Sequence, residues 1–299
     1  MRRIGVIHAP YLYGSFGGFL MRRAFQVLAL ILASAVAVPL HAQAVPAPPL
    51  AAPILSATEV QRWSAPEATQ GVAVDGRYLY AIANSQIAKY DRATGRKVAE
   101  WTGERARYPH LNSCSVVGKE LVCAGSNFPA TPMTSSVEIF DPQRMTHLRT
   151  VSLGQQVGSL TWVTRRDGAW WAGFANYDGK GGESGRRHEY TQLVKFDDQW
   201  RRMEAWSFPA SVLDRFAPAS ASGGAWGEDG LLYVTGHDRP EVYVLRLPDG
   251  GSTLDHLATI AVPIEGQAIA FDLGAQRLLF GISRAKGEAV AMRLPRIAP

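Results

Sequence analysis

The 299-residue chain is 46% hydrophobic, enough for one large all-β domain or two smaller ones, and its Gly 29, Pro 18, Trp 8 and Tyr 10 suit strands joined by tight turns rather than a helical bundle. Its formal charge of +5 belongs to the first 44 residues, which hold Arg2, Arg3, Arg22 and Arg23 and no acidic residue; without these four, 27 of the 31 basic residues face 26 acidic ones, a net of about +1. That balance excludes the basic stripe a nucleic-acid binder needs.

In chain order, residues 1–20 read as an upstream extension or a mis-chosen start before Met21. Arg22-Arg23, an apolar run over 25–40 and Ala42-Gln43-Ala44 then give the layout of a secretory signal peptide over 1–44, so the mature protein is expected in the periplasm or secreted. An uncleaved anchor is the alternative, but the run is short for a spanning helix and no stable membrane span is expected after its removal. Arg22-Arg23-Ala24-Phe25 half-resembles a twin-arginine signal, leaving the export route open. Residues 45–57, rich in Pro and Ala, read as an extended lead-in to a domain over 58–299.

Five repeats follow. Thr69-Gln70-Gly71-Val72-Ala73-Val74-Asp75 returns as Gly266-Gln267-Ala268-Ile269-Ala270-Phe271-Asp272, and between them lie Leu111-Asn112-Ser113-Cys114, Gly158-Ser159-Leu160-Thr161-Trp162 and Ser222-Gly223-Gly224-Ala225-Trp226. Each opening runs into a turn, at Gly76, Gly118, Gly168, Gly230 and Gly274, and an apolar second strand. Third strands are predicted over 87–90, 137–140, 193–196, 242–245 and 289–292, and fourth strands over 97–101, 148–153, 203–208 and 256–262. The fifth repeat ends before a fourth strand, and Glu59-Val60-Gln61-Arg62-Trp63 resembles Val98-Ala99-Glu100-Trp101. The expectation is an all-β, five-bladed β-propeller whose N-terminal strand closes the last blade and leaves no open edge; an open β-sandwich is the competing reading. Insertions at 176–189 and 209–221 lengthen the third repeat, the second with a short helix over 211–216.

A two-residue turn at Gly118-Lys119 places Cys114 opposite Cys123 on a non-hydrogen-bonded pair, where side chains approach closely. An oxidising compartment favours a disulfide there; two buried thiols are the alternative.

In a four-stranded blade, the loop feeding the innermost strand and the loop joining the second and third strands share one face of the disc. Feeder loops supply Gln70, His110, Asn112, Ser159, Ser222, Glu265 and Gln267, and the second set supplies Asn84, Asn127, Asn176, Asp178, His237, Asp238 and Arg284. A polar funnel binding a small molecule is therefore expected on that face. His110 and His237 are the acid–base candidates, with Glu265 as a third; Asp238 is placed to orient His237, and the remaining polar residues are ligand-binding candidates. For each, hydrogen bonding to strand ends is the structural alternative. His110, His237, Asp238 and Glu265 could also hold a metal, although no dense ligand spacing supports one and no cofactor is evident. Gly179-Lys180-Gly181-Gly182 reads as a flap, since no helix follows it as in a phosphate loop, and Trp162 as core.

The stretches around Thr69-Gln70-Gly71, His110-Leu111-Asn112-Ser113, Ser135-Ser136-Val137-Glu138-Ile139-Phe140-Asp141, Gly158-Ser159-Leu160-Thr161-Trp162 and Tyr233-Val234-Thr235-Gly236-His237-Asp238 resemble an exported bacterial family often labelled cycloisomerase. That resemblance implies an isomerase or lyase acting on a small organic acid or lactone. More distantly, the Thr-Gln-Gly blade opening resembles plant-type glutaminyl cyclases, five-bladed propellers; Asn112 stands where those carry a functional Glu, and Gly158 where they carry tryptophan. A non-enzymatic binding or scaffold propeller, with a protein partner, and a metal-dependent lactonase are the competing functions.

Overall fold

The computed structural model describes residues 51–272 and 274–297; the predicted export segment 1–44 lies outside them. Strand β1 (Ile54–Ser56) and strand β2 (Thr58–Ser64) come first. Blade 1 holds β3 (Gly71–Val74), β4 (Tyr78–Ala83), β5 (Gln86–Asp91) and β6 (Lys97–Thr102); blade 2 holds β7 (His110–Val117), β8 (Glu120–Ser126), β9 (Thr134–Asp141) and β10 (Thr146–Gln155). Blade 3 holds β11 (Ser159–Arg166), β12 (Ala169–Ala175), β13 (Gln192–Phe196) and β14 (Arg202–Ser207), followed by helix α1 (Ala210–Phe216) in the predicted insertion. Blade 4 holds β15 (Gly223–Trp226), β16 (Leu232–Thr235), β17 (Glu241–Arg246) and β18 (Asp255–Ala261), and blade 5 holds β19 (Ala270–Phe271), β20 (Leu278–Ser283) and β21 (Glu288–Arg293).

The sheets are antiparallel in chain order, and β2 pairs with β21 as the outer strand of blade 5. The innermost strands touch in the order β3, β7, β11, β15, β19, and β19 returns to β3, so the ring closes with five blades as expected. Residues 54–56, read from the sequence as lead-in, instead add β1 in parallel to β18 as a fifth strand of blade 4. Apolar pattern could not show this, because Ile54 is exposed and the pairing is made by backbone groups.

The core is divided among the five spaces between neighbouring blades. Along β4, Leu79 and Ala81 face blade 5 with Trp63 and Phe280, while Tyr80 and Ile82 face blade 2 with Cys114 and Phe140. Successive side chains point to opposite faces, and both faces are covered, which is why the middle strands read as unbroken apolar runs. Trp63 seals the junction of the chain ends: its ring stacks on Phe280 at 5.6 Å and its indole N–H donates to the Arg92 carbonyl at 2.9 Å. Near the axis space is short. A side chain on Gly71 would lie 2.3 Å from Ala268 Cβ, and Trp162, fully buried, rests its indole where Gly173 and Gly224 have no Cβ. In the second blade, Val117 pairs with Glu120 across the Gly118-Lys119 turn and Cys114 pairs with Cys123, to which it is disulfide-bonded.

Turns are stapled by aspartates. Asp75 and Asp229 accept from the Tyr80 and Tyr233 hydroxyls at 2.7 and 2.6 Å, while Asp91, Asp141 and Asp197 accept backbone N–H groups after the third strands. Those backbone bonds hold the Asp91, Asp141 and Asp197 carboxyls below the usual range.

Candidate functional site

The feeder loops and second-to-third-strand loops do lie on one face, and several predicted residues meet there. His110 begins β7, and its Nδ1 lies 2.7 Å from Asn84 Oδ1 of blade 1. Since an amide oxygen only accepts, Nδ1 carries the proton and Nε2 is left as an acceptor. Burial pushes His110 down to about 4; the Asn112 side chain opposes the shift, and the positive charge of Lys180 adds to it. His110 is therefore a neutral imidazole near pH 7.

On the far side, His237 Nδ1 lies 2.6 Å from Asp238, as the adjacency suggested, and Arg284 of blade 5 approaches His237 Nε2 at 3.3 Å and Asp238 at 3.5 Å. Arg284 can only donate, so Nε2 accepts and the His237 proton sits on Nδ1, facing the carboxylate. Gln267 supports this corner: it is buried, adopts φ 69°, and donates from Nε2 to the His237 carbonyl at 3.3 Å. Gln70 presents its carbonyl to the Ala268 N–H, tying the openings of blades 1 and 5 together.

Other candidates are engaged locally. Asn127 accepts from the Thr134 N–H and donates to the Pro132 carbonyl, closing its own loop. Glu265 binds the Ser283 hydroxyl at 3.0 Å and the Ala285 N–H at 3.1 Å; burial pushes its carboxyl up, but these bonds and Arg284 outweigh it and hold the group below the usual range. It is a carboxylate stapling a turn rather than a proton donor. The Ser222 N–H donates to the Thr235 carbonyl at the start of blade 4. Asp178 turns to His188, whose Nδ1 is 2.8 Å away, in the first insertion.

Asn112 donates to the Leu160 carbonyl and Asn176 to the Val157 and Tyr190 carbonyls. Ser126 Oγ, which pairs in register with His110, and Asn176 Oδ1 are buried without a hydrogen-bond partner among the described residues. Such groups each cost about 1–3 kcal/mol if left unpaired.

Two aromatic residues of the mouth escaped the sequence reading. His110 lies 5.0 Å from the Phe128 ring and Phe128 lies 5.0 Å from Tyr177, while Gly181 of the flap sits against Phe128 with no room for a side chain. Burial pushes the Tyr177 phenol above its usual range, and neighbouring Ser159 opposes the shift. Phe128, Tyr177 and His237 all stand two residues beyond a second strand, at Ser126, Ala175 and Thr235. The alignment that singled out His237 therefore held the signal for the other two.

The metal expectation shifts. The described side chains whose donor atoms lie close enough for one ion are Asp178, His188 and Glu189, a different set from His110, His237, Asp238 and Glu265. Arg187 Nη2 sits 3.6 Å from Asp178, and the Asp178–His188 pair already braces the insertion, which fits a cation poorly.

At the opposite end of the axis, the ends of all five innermost strands surround a cavity of about 770 Å³, lined among others by Ser113, Arg166, Trp226 and Phe271. The sequence reading placed no site there.

Fold and mouth together define a five-bladed β-propeller with a polar, histidine-bearing axial opening. No protein-family model and no curated protein matches the sequence, so the cycloisomerase and glutaminyl-cyclase resemblances gain no counterpart. Among solved structures the chain is similar to hydrazine synthase from Kuenenia stuttgartiensis, at 11% identity over 75% of this chain and 82% of that one with a TM-score of 0.46. It is also similar to the WD40 repeats of RRP9, at 12% identity over 75% and 79% with a TM-score of 0.43, and to a chain of the mitotic checkpoint complex, at 10% over 74% and 72% with a TM-score of 0.41. The blade count rests on the sheets of this chain itself. Among the described residues, no helix is long and apolar enough to cross a membrane.

Proposed function

We propose that this is an exported propeller, periplasmic or secreted, that binds a small polar organic acid or its lactone in the axial mouth beside His110. The observation that carries the reading is the neutral His110 at the mouth, its Nδ1–H held by Asn84 and its Nε2 left as an acceptor beside the Phe128 ring. A hydroxyl-bearing ligand would donate to His110 Nε2, and Arg284 and Lys180 offer cations for a carboxylate. Phe128 and Tyr177 supply the apolar wall. With Nδ1–H held by Asn84, His110 Nε2 can accept a proton from such a ligand, which is the step an isomerase or lyase would need. The Cys114–Cys123 disulfide supports export, since such bonds persist in oxidising compartments.

The test is calorimetric titration and thermal shift against hydroxy acids, sugar acids and lactones, with proton NMR of each binder for turnover. Binding lost in both His110→Asn and Arg284→Gln supports the reading. A ligand bound equally by both variants overturns the site, and no stabilising small molecule leaves the scaffold function standing. Turnover that requires an added divalent metal favours the lactonase.

A further inference from the structure

Resting on the reading of the His110 mouth as the ligand site, we propose that the insertion after β12 is a lid over that mouth, with residues 179–187 as its moving tip and Glu183 as its latch. Asp178 braces the base of the insertion. It accepts from the His188 backbone N–H at 2.9 Å and lies 2.8 Å from His188 Nδ1, while its own N–H donates to the Pro218 carbonyl at 3.2 Å.

Beyond that brace the tip is lightly held. Among the described residues, none from 178 to 187 joins the apolar clusters between the blades. The hydrogen bonds that tie the tip to the blades are two: the Met133 N–H donates to Glu183 Oε1 at 2.6 Å, and Arg186 Nη1 reaches the Gln156 carbonyl at 3.5 Å. The Gly182 N–H to the Gly179 carbonyl and the Arg186 N–H to the Glu183 carbonyl are internal, so the tip keeps its shape while its attachment is slight. Gly181 and Gly185, at φ 80° and 77°, give it pivots that other residues rarely supply. A segment with so few buried apolar contacts opens at a cost well below that of unfolding.

The tip closes on the mouth through one ring. Gly181 rests on Phe128 with no room for a side chain, and Phe128 lies on His110 with ring centroids 5.0 Å apart and planes 35° apart. The tip therefore holds Phe128 against the imidazole whose Nε2 is left as an acceptor. Met133 ends the same loop between β8 and β9 that carries Phe128, so Gly181 and Glu183 grip one loop at two points. Lys180, exposed on the tip, brings a positive charge that is felt at His110. Lifting the tip releases Phe128 and withdraws that charge, and closing over an acid returns it, so an anionic ligand favours the closed state.

The test needs no ligand, so its failure is distinct from failure of the small-acid reading. Diethyl pyrocarbonate acylates an accessible neutral imidazole nitrogen, and peptide mass spectrometry of the mature protein follows His110 against His237, whose side chain is 40% exposed and is held by Asp238 and Arg284. His110 of the parent should react slowly. Glu183→Ala, which removes the latch, and Gly181→Ala, which presses a Cβ into the Phe128 ring, should each speed that reaction about tenfold relative to His237. In the parent, the Met133 amide should exchange with deuterium about 100-fold faster than amides in the middle of β9, because lifting the tip releases it without unfolding the blade. Circular dichroism and melting temperature establish that each variant is folded; should either fail to fold, Met133 exchange in the parent decides alone. Folded variants that both leave the His110 rate unchanged, a parent His110 that reacts as fast as a free histidine peptide, or a Met133 amide that exchanges only with β9 would each overturn the proposal.

Discussion

Acid should destabilise this propeller through His110, and replacing that residue should remove a measurable part of the effect. In the unfolded chain the imidazole titrates near 6.5, whereas in the fold it is held at about 4 by burial, so at intermediate pH the unfolded state binds the extra proton. Stability contributed by the neutral ring is present above the unfolded value and is lost as pH falls through the window from 6.5 to 4. Linkage over those two values gives about 2 kcal/mol lost between pH 7 and pH 4.5 from this one residue, allowing for partial solvent access. In urea, with a slope of about 2–3 kcal/mol per molar for a domain of this size, that is a midpoint shift of about 0.7–1 M. His110→Asn keeps a group able to donate to Asn84 and does not titrate. Its midpoint should start below the parent at pH 7 and close the gap by that amount at pH 4.5. The carboxylates held low by hydrogen bonds, such as Asp141 and Asp197, also weaken the fold as pH falls, but equally in both proteins. Urea curves that stay parallel from pH 7 to 4.5 would refute the argument, because they would mean that His110 titrates alike in both states.

Three further outcomes are expected. The Cys114–Cys123 bridge closes a loop with sequence separation 9, worth about 2.5–3 kcal/mol by chain entropy, so Cys114→Ala with Cys123→Ala should lower the melting temperature by about 5–10 °C; an unchanged melt, or alkylation of both thiols without prior reduction, would contradict it. Trp63→Ala should cost about 3–5 kcal/mol in denaturant titration because it uncovers Phe280 and breaks the closing strand, whereas starting the chain at residue 57, which removes β1 alone, should cost far less; equal losses would mean that closure does not depend on β2. Gly173→Ala places a Cβ 2.0 Å from the Trp162 indole nitrogen and should destabilise by about 1–3 kcal/mol, with Trp162→Phe recovering part of the loss; additive losses in the double variant would show that the two do not meet.

The blades were legible because each middle strand is buried on both faces, and the closing strand because Trp63 repeats the place of Trp101 in an outer strand. The Cys114–Cys123 pairing followed from counting residues across a two-residue turn. Strand β1 was not legible: it binds β18 through backbone groups, and no periodicity marks an exposed three-residue strand. At the mouth, residue type alone nominated polar groups, yet Asn127 and Glu265 serve their own loops while Phe128 and Tyr177 shape the opening. Whether a polar side chain faces a ligand or a neighbouring N–H is set by loop conformation, which no local pattern encodes. The cavity at the far end arises from the convergence of five strand ends, so no single segment carries its signature.

The short strand β1 ties the N-terminal segment to a different blade from the one that β2 closes. Residues 54–64 cross from the rim of blade 4 to the rim of blade 5, so a pull on the chain ahead of residue 54 loads β1 before it reaches β2. The three-residue bridge can shear away while the ring stays latched by Trp63 and the Arg62–Glu288 pair. Under tension on the N-terminal side, the three-residue pairing of β1 would part from one blade's edge before the load reached the strand that keeps the propeller shut.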